Sequence, residues 1–382
     1  MKRSFLLTIL FFQIGLLYSA DYSRVDEQSH YVPFELKTPI EIAKYLSRNL
    51  QTDEEKVRAI YFWIANNIRY DVEQIPGADY RYHVSGKRNF LKEVLNSHKG
   101  VCQHYAELFD TLCHSLGVKS YFIVGYTRYQ EEISVLSHAW NAVLIKGQFY
   151  DLDVTWSAGY IEDEKFQKKF NDNFFMVSPS KFITSHIPFD PVWQFLNNPI
   201  TNKEIEMGDF SKLKIKSGYN FTDSINTLKD LSNLEQRGRE NLRISKMGFT
   251  NALIRNYAAQ NQQFILNERY NQIFKSYNKT VESFTFYIHS KYKKFDETKL
   301  ADDKISEMIA TARQHLSVEE ILLNFLNSEI SEFNRPIMQS SISSMQSSIS
   351  RLKKNIDDED EFVKKYIITP KPLRLALFYK SK

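Results

Sequence analysis

The sequence predicts an α+β domain over residues 38–200, a short β region over 201–222 and a mainly helical bundle over 223–382. Three observations carry this prediction. Capped amphipathic stretches are followed by alternating runs that turn at Lys146-Gly147, a mixture of helix and antiparallel strand. From Asp223 onward, apolar residues return at three- and four-residue intervals through most of the remaining chain. With 382 residues, 42% hydrophobic and 14% aromatic, the chain can bury two cores and is too apolar to stay disordered.

The formal net charge is +4 and no Lys/Arg block is present, which argues against nucleic acid as a partner. Residues 1–20 read as a signal peptide: Lys2 and Arg3, an apolar run over 5–18, then Ser19-Ala20. The expected location is therefore secreted or periplasmic, with an uncleaved membrane anchor as the alternative. No later segment is apolar enough to span a bilayer.

Residues 21–37 read as polar and irregular. Thr38-Pro39-Ile40-Glu41 then supplies an N-cap, a first-turn proline and the glutamate of a capping box. Thr52-Asp-Glu-Glu55 repeats the signal, and Val57, Ile60, Tyr61, Ile64 and Ile68 give that helix one apolar face beside Trp63. Arg69-Tyr70-Asp71 ends it. The stretch to His98 contains Pro76, Gly77 and Gly86 and reads as a long loop with one short helix at 90–95, forming a wall on the substrate side.

The stretch that follows organises the rest. Tyr105, Leu108, Phe109, Leu112 and Leu116 recur at helical spacing after Val101-Cys102, and Gly117 closes the helix. Cys102 therefore falls in the first turn, where free N–H groups and the helix dipole favour a thiolate. Cys113, the other cysteine, lies about 16 Å further along the axis at 1.5 Å per residue. A disulfide needs Cα atoms within about 7 Å, so the two cannot pair within the molecule. Cys113 reads as core packing and Cys102 as a candidate nucleophile.

Residues 120–127 form a β run, 129–136 a polar connection, and 137–145 with 148–156 a hairpin about Lys146-Gly147. With a two-residue turn, Ile145 faces Gln148, Asn141 faces Leu152 and His138 faces Thr155. Residues two apart on a strand share a face, so Asp153 lies on the His138 face, one diagonal step away, with Trp140 opposite it. A slip of one residue would send Asp153 to the other side of the sheet.

Each of these residues alone has a plainer reading: a structural cysteine, a half-buried strand histidine, an aspartate that caps a turn. In this order and with matching parity they fit thiol acyl transfer. Cys102 attacks a carbonyl, His138 takes its proton and later returns it, and Asp153 holds the imidazole tautomer. The Cys102 N–H and a second donor, Asn96 or Gln103, would meet the oxyanion, and Trp140 would shield the His–Asp pair. No cofactor or metal is expected. His98, His104 and His114 do not cluster with the cysteines, and Asp357-Asp-Glu-Asp-Glu361 lacks the glycine and spacing of a calcium loop. Asn220-Phe-Thr and Asn278-Lys-Thr are glycosylation sequons if the source is eukaryotic.

Val101-Cys102-Gln-His-Tyr-Ala-Glu-Leu-Phe109, His138-Ala-Trp-Asn-Ala-Val143 and Asp151-Leu-Asp153-Val-Thr-Trp156 resemble the transglutaminase-like superfamily, in the branch like kyphoscoliosis peptidase. Residues 175–193 resemble that branch's closing stretch, and the likeness runs roughly from Thr52 to Leu196. It implies a papain-like fold with Cys102, His138 and Asp153 at the catalytic positions. His104 and Ser157 stand where relatives often have glycine; His104, two residues past the cysteine, should point away from the thiol. The superfamily includes proteases, cross-linking acyltransferases and silent scaffolds. The resemblance thus implies a thiol-dependent peptide or amide hydrolase acting on protein or peptide. A protein cross-linking transglutaminase and a silent interaction module are the alternatives.

In the second half, residues 204–221 read as one or two strands around Leu213-Lys-Ile-Lys216. Helix then runs from residue 223, broken near Gly238, Gly248, Asp296 and Pro336. Leu242, Met247, Ile254, Tyr257, Phe264 and Ile265 form one apolar face, and Ile305, Met308, Ile309 and Leu316 another. The expectation is an antiparallel bundle, with short strands at its base as an option. The Ser-rich stretch 339–350 keeps Ile342, Met345 and Ile349 at helical spacing, so it reads as helix. Nothing in this half carries chemistry; a solvated bundle is the expected account, with a protein partner surface as the alternative.

Overall fold

Long-range ion pairing, with no periodicity to announce it, builds the first element. In the computed structural model, which describes residues 21–74, 87–129, 131–214, 221–295, 300–329 and 335–379, the stretch expected to be irregular holds a helix, α1 (Ser23–Ser29). The expected signal peptide lies outside the described residues. Arg58 holds α1 in place: its buried guanidinium pairs with Asp26 of α1 and with Asp172, and lies over the rings of Tyr22 and Phe175. Both predicted capping boxes are formed, by Thr38 and Glu41 at the start of α2 (Pro39–Leu46) and by Thr52 and Glu55 at the start of α3 (Asp53–Asn67).

The chain continues through β1 (Arg69–Tyr70) to α4 (Lys87–Ser97), which contains the short helix expected at 90–95. Residues 75–86 of the expected loop lie outside the described residues. β2 (Lys99–Gly100) pairs in parallel with β1 and delivers the chain to α5 (Cys102–Ser115), after which Gly117 takes a positive φ of 72°. Neither cysteine forms a disulfide, and both are buried.

Two corrections concern the sheet. Most of the polar stretch read as a connection is strand: β3 (Ser120–Tyr129) and β4 (Glu132–Ile145) pair as far as Tyr129 and Glu132, past an irregularity after Tyr126. Its polarity marks an exposed extension of the ladder, where Val135 is 87% accessible. The next strand, β5 (Gln148–Leu152), ends before Asp153, because that side chain caps a short helix, α6 (Val154–Ala158). The hairpin register is the predicted one, with Ile145 opposite Gln148 and Asn141 opposite Leu152.

A second hairpin, β6 (Gly159–Glu162) with β7 (Lys165–Lys168), and the short helix α7 (Pro179–Phe182) lead to β8 (His186–Pro188). β8 completes a four-stranded antiparallel sheet of order β5-β4-β3-β8. Ile60 and Ile64 of α3, Leu108 and Phe109 of α5, and Val143 and Leu152 of the sheet share one core. This α+β architecture is the predicted fold.

The strands expected in 201–222 are replaced, where the chain is described, by α8 (Asn202–Glu206) and a 3-10 turn at Ser211–Lys214. Thr201 and Glu204 form another capping box, a local signal stronger than the β-prone residues that follow. The described residues fall into two compact units, one ending at Ser224 and the other starting at Ile225. α9 (Phe221–Leu228) lies at that boundary.

In the second unit, α10 (Asn233–Met247) runs through Gly238 without a break, and Leu242 is 57% exposed rather than on the apolar face. Gly248 does end α10. α11 (Ala252–Tyr292), α12 (Asp302–Glu329) and α13 (Arg335–Ile368) then bury Ile273, Phe284, Ile305, Ile309, Leu316, Ile342, Met345 and Ile349 together. Pairs such as Arg269–Glu329 and Arg313–Asp357 show α12 antiparallel to both of its neighbours. The acidic run at 357–361 is partly used as glue, through Arg313–Asp360 and Lys291–Glu359. No strand is present in this unit, and no helix is long and apolar enough to cross a membrane, among the described residues.

Candidate active site

Cys102 is the first residue of α5, 1% exposed, and packs with Ala106 and Ala139. Asn141 of β4 donates through Nδ2 to the Ala106 carbonyl at 3.0 Å, which ties the cysteine helix to the histidine strand. From that strand, His138 donates through Nε2 to Asp153 Oδ2 at 2.7 Å. This leaves Nδ1 for the sulfur, and a hydrogen bond with Cys102 is among the interactions that His138 makes. The three residues singled out in the sequence are brought together.

Asp153 is wholly buried and its two oxygens are fully engaged. Oδ1 accepts from the Thr155 and Trp156 N–H groups at 2.8 and 3.1 Å, as the cap of α6. Oδ2 accepts from His138 and from a second imidazole, His186, at 3.1 Å. A carboxylate offers about four lone-pair sites, and all four are filled. Burial opposes its charge, but the two imidazoles hold its pKa below the usual carboxylate value. Burial likewise opposes a charged His138, yet the Asp153 carboxylate and the Cys102 thiolate push its pKa up to about 10. The electrostatics favour a charged imidazole beside an ionised carboxylate.

His186 was not singled out from the sequence. It is 1% exposed, and burial lowers its pKa, so it serves as a neutral donor. Facing the Asp153 carboxylate, its Nε2 carries the proton, while Nδ1 lies 2.8 Å from the Ser185 hydroxyl, which donates to the Phe182 carbonyl at 3.2 Å. Its ring stacks on Phe182 at 4.0 Å and lies 4.6 Å from Trp156. β8, only three residues long, carries no readable alternation, and its partner β3 is distant in sequence. Gly125 on β3 permits this approach: a Cβ there would sit 2.0 Å from the Ile187 carbonyl and 2.5 Å from the Trp140 ring. Trp140 is 2% exposed, its ring 6.2 Å from His138 and 5.3 Å from His186, the shielding position expected of it.

His104 caps its own helix: Nδ1 accepts from the Val101 N–H at 2.9 Å, and the ring stacks on Phe90 at 4.0 Å. Burial lowers its pKa to about 4. Of the two expected oxyanion donors, Asn96 is exposed on α4, while half-buried Gln103 follows the cysteine directly. His138, Asp153 and His186 each offer a ligand atom within 4.8 Å of the others, a grouping that could hold a metal ion. The hydrogen bonds to Asp153 account for the cluster without one.

Residues 40–154 match the sequence model of the transglutaminase-like superfamily. Kyphoscoliosis peptidase of Mus musculus is 32% identical over 182 residues, which cover 45% of this chain and 26% of that protein. The Homo sapiens protein matches to the same extent, 32% over 182 residues. Hillarin of Drosophila melanogaster is 26% identical over 207 residues, covering 49% of this chain and 24% of its own. The chain thus spans about a quarter of the length of the curated relatives it matches. Residues 40–154 therefore carry the pattern of the transglutaminase-like superfamily, and a 182-residue stretch of the chain is similar to kyphoscoliosis peptidase.

Proposed function

We propose that the first unit is a thiol-dependent acyl-transfer enzyme that hydrolyses peptide or amide bonds of protein substrates outside the cytoplasm. The supporting observation is the unbroken line from a helix-start cysteine to a buried imidazole to a fully hydrogen-bonded carboxylate. In this reading the Cys102 thiolate attacks the carbonyl carbon, and the developing oxyanion meets the Cys102 N–H. Charged His138 then protonates the leaving nitrogen, the C–N bond breaks and a thioester remains. Neutral His138 next takes a proton from water, which attacks the thioester and frees the thiolate. Asp153 keeps the imidazole aimed and stabilises its cation. An amine in place of water would turn the same thioester into a cross-linking intermediate.

Alkylation by iodoacetamide tests the reading. Cys102 should label fast at neutral and mildly acidic pH, and His138→Ala should reduce the rate to that of an ordinary thiol. Equal slow labelling of both proteins would leave only a silent module. The proposed export, supported by residues 1–20, predicts a mature chain beginning near Asp21, read by N-terminal mass spectrometry. A retained Met1 on exported protein would favour the anchor.

A further inference from the structure

A pocket of about 660 Å³ opens beside His138, a size suited to a peptide side chain and its flanking backbone. Trp156, Phe174 and Phe166 form much of its wall, with Tyr160 and Ile161 of β6 about half exposed. Gly159 sets this wall: a Cβ there would lie 2.1 Å from the Gln167 carbonyl and 2.9 Å from the Phe166 ring, so only a glycine lets the β6–β7 hairpin close on that ring. The one charged residue besides His138 in the lining is Lys169, which is exposed; no carboxylate contributes, among the described residues. His138 belongs to the wall, whereas Cys102 does not.

That asymmetry says which part of a substrate enters. The imidazole serves the nitrogen of the bond being made or broken, while the sulfur holds the acyl carbon. A pocket walled by the imidazole and not by the sulfur therefore receives the amine side. Building on the acyl-transfer reading, we propose that this pocket is the leaving-group subsite. It takes a large apolar side chain, aromatic above all, on the residue that supplies the amine nitrogen, and Lys169 favours an acidic residue next to it over a basic one. In the reverse direction a bound amine attacks the thioester carbonyl: the C–N bond forms, the C–S bond breaks, the amine proton passes to His138 and Cys102 leaves as thiolate.

Nucleophile competition on the full chain tests this. Cys102 is acetylated with 4-nitrophenyl acetate, with a Cys102→Ala protein as the control for other acetylated sites. Equal free-base concentrations of phenylalaninamide, glycinamide or lysinamide are then added, and N-acetyl product is measured against acetate by mass spectrometry. Phenylalaninamide should capture the acetyl group roughly tenfold better than either rival, the size expected for burying one large apolar side chain. The half-exposed wall residues give variants that should still fold, and Tyr160→Ala with Ile161→Ala should bring the ratio toward one. Lys169→Glu should reverse the preference between Phe-Asp-amide and Phe-Lys-amide. An acetyl-Cys102 that partitions without regard to the amine's side chain overturns the subsite and leaves the acyl-transfer reading standing. Failure of Cys102 to acetylate at all overturns both.

Discussion

Replacing Asp153 with Asn removes a charge while leaving a cap. The Asn oxygen can still accept from the Thr155 and Trp156 N–H groups, and Asn caps helices as well as Asp does, so α6 should form. What changes is the other end of the side chain, where an NH₂ donor now faces His138 Nε2. The imidazole must offer a lone pair there and move its proton to Nδ1, the nitrogen meant to take one from the thiol. The Asp153 and Cys102 charges together carry His138 from an ordinary 6.5 to about 10 against burial. At 1.36 kcal/mol per unit this is about 5 kcal/mol of preference for the charged imidazole. Asp153 contributes by charge and by hydrogen bond, so losing its charge should lower the His138 pKa by roughly one to three units, as removal of one neighbouring opposite charge does. The sign is fixed: a group raised in this way keeps its charge below its folded pKa and loses it as pH rises through that value. The iodoacetamide rate of the parent protein should therefore hold its ion-pair plateau to about pH 10, and the plateau of Asp153→Asn should end roughly one to three units lower. A variant with a preserved thermal midpoint and an unchanged pH profile would refute the claim that Asp153 charges His138.

Three further outcomes follow from the same geometry. His186→Phe fits the stacked site but removes one donor from a buried carboxylate; it should cost about 1.5–3 kcal/mol in chemical denaturation at pH 7, with His186→Gln recovering most of the loss. His104 has a folded pKa lowered to about 4 from 6.5, so its contribution is complete above 6.5 and falls as pH drops toward 4. The gap corresponds to about 3 kcal/mol, and His104→Gln should remove that part of the slope of unfolding free energy against pH. Gly125→Ala places a Cβ 2.0 Å from the Ile187 carbonyl and should cost about 1–3 kcal/mol or more by thermal unfolding, while slowing Cys102 alkylation because β8 carries His186.

What could be read from the sequence was local, and what could not was long-range. Thr38, Thr52 and Gly117 act through hydrogen bonds or backbone angles a few residues away, so their helices could be placed before the structure was known. The same holds for the hairpin register, which Lys146-Gly147 fixes by turn length alone. Helix α1 depends on Arg58 and on Asp172, far along the chain, and so left no trace in its own composition. The strand predicted through Trp156 stopped at Leu152 because Asp153 was read only for which face it occupied, not as a cap. His186 reaches the site through the β3–β8 pairing, which no periodicity in a three-residue strand can announce.

The contrast between Asp151 and Asp153 shows what selects the working carboxylate. They are two apart, and that spacing on one strand puts both on the same face. Asp151 pairs its backbone with Val177, and burial pushes its carboxyl well above the usual value although Trp140 hydrogen-bonds to it. Asp153 is more deeply buried still, yet it is held ionised by four N–H donors. Depth alone would neutralise both groups. The difference arises because the strand ends one residue before Asp153, which frees the Thr155 and Trp156 N–H groups to point at Oδ1, while β8 brings His186 to Oδ2. The charge that aims His138 therefore depends on a strand end and on a neighbouring strand as much as on the identity of residue 153. Transplanting the hairpin without α6 and β8 should carry the side chains across and leave the charge behind.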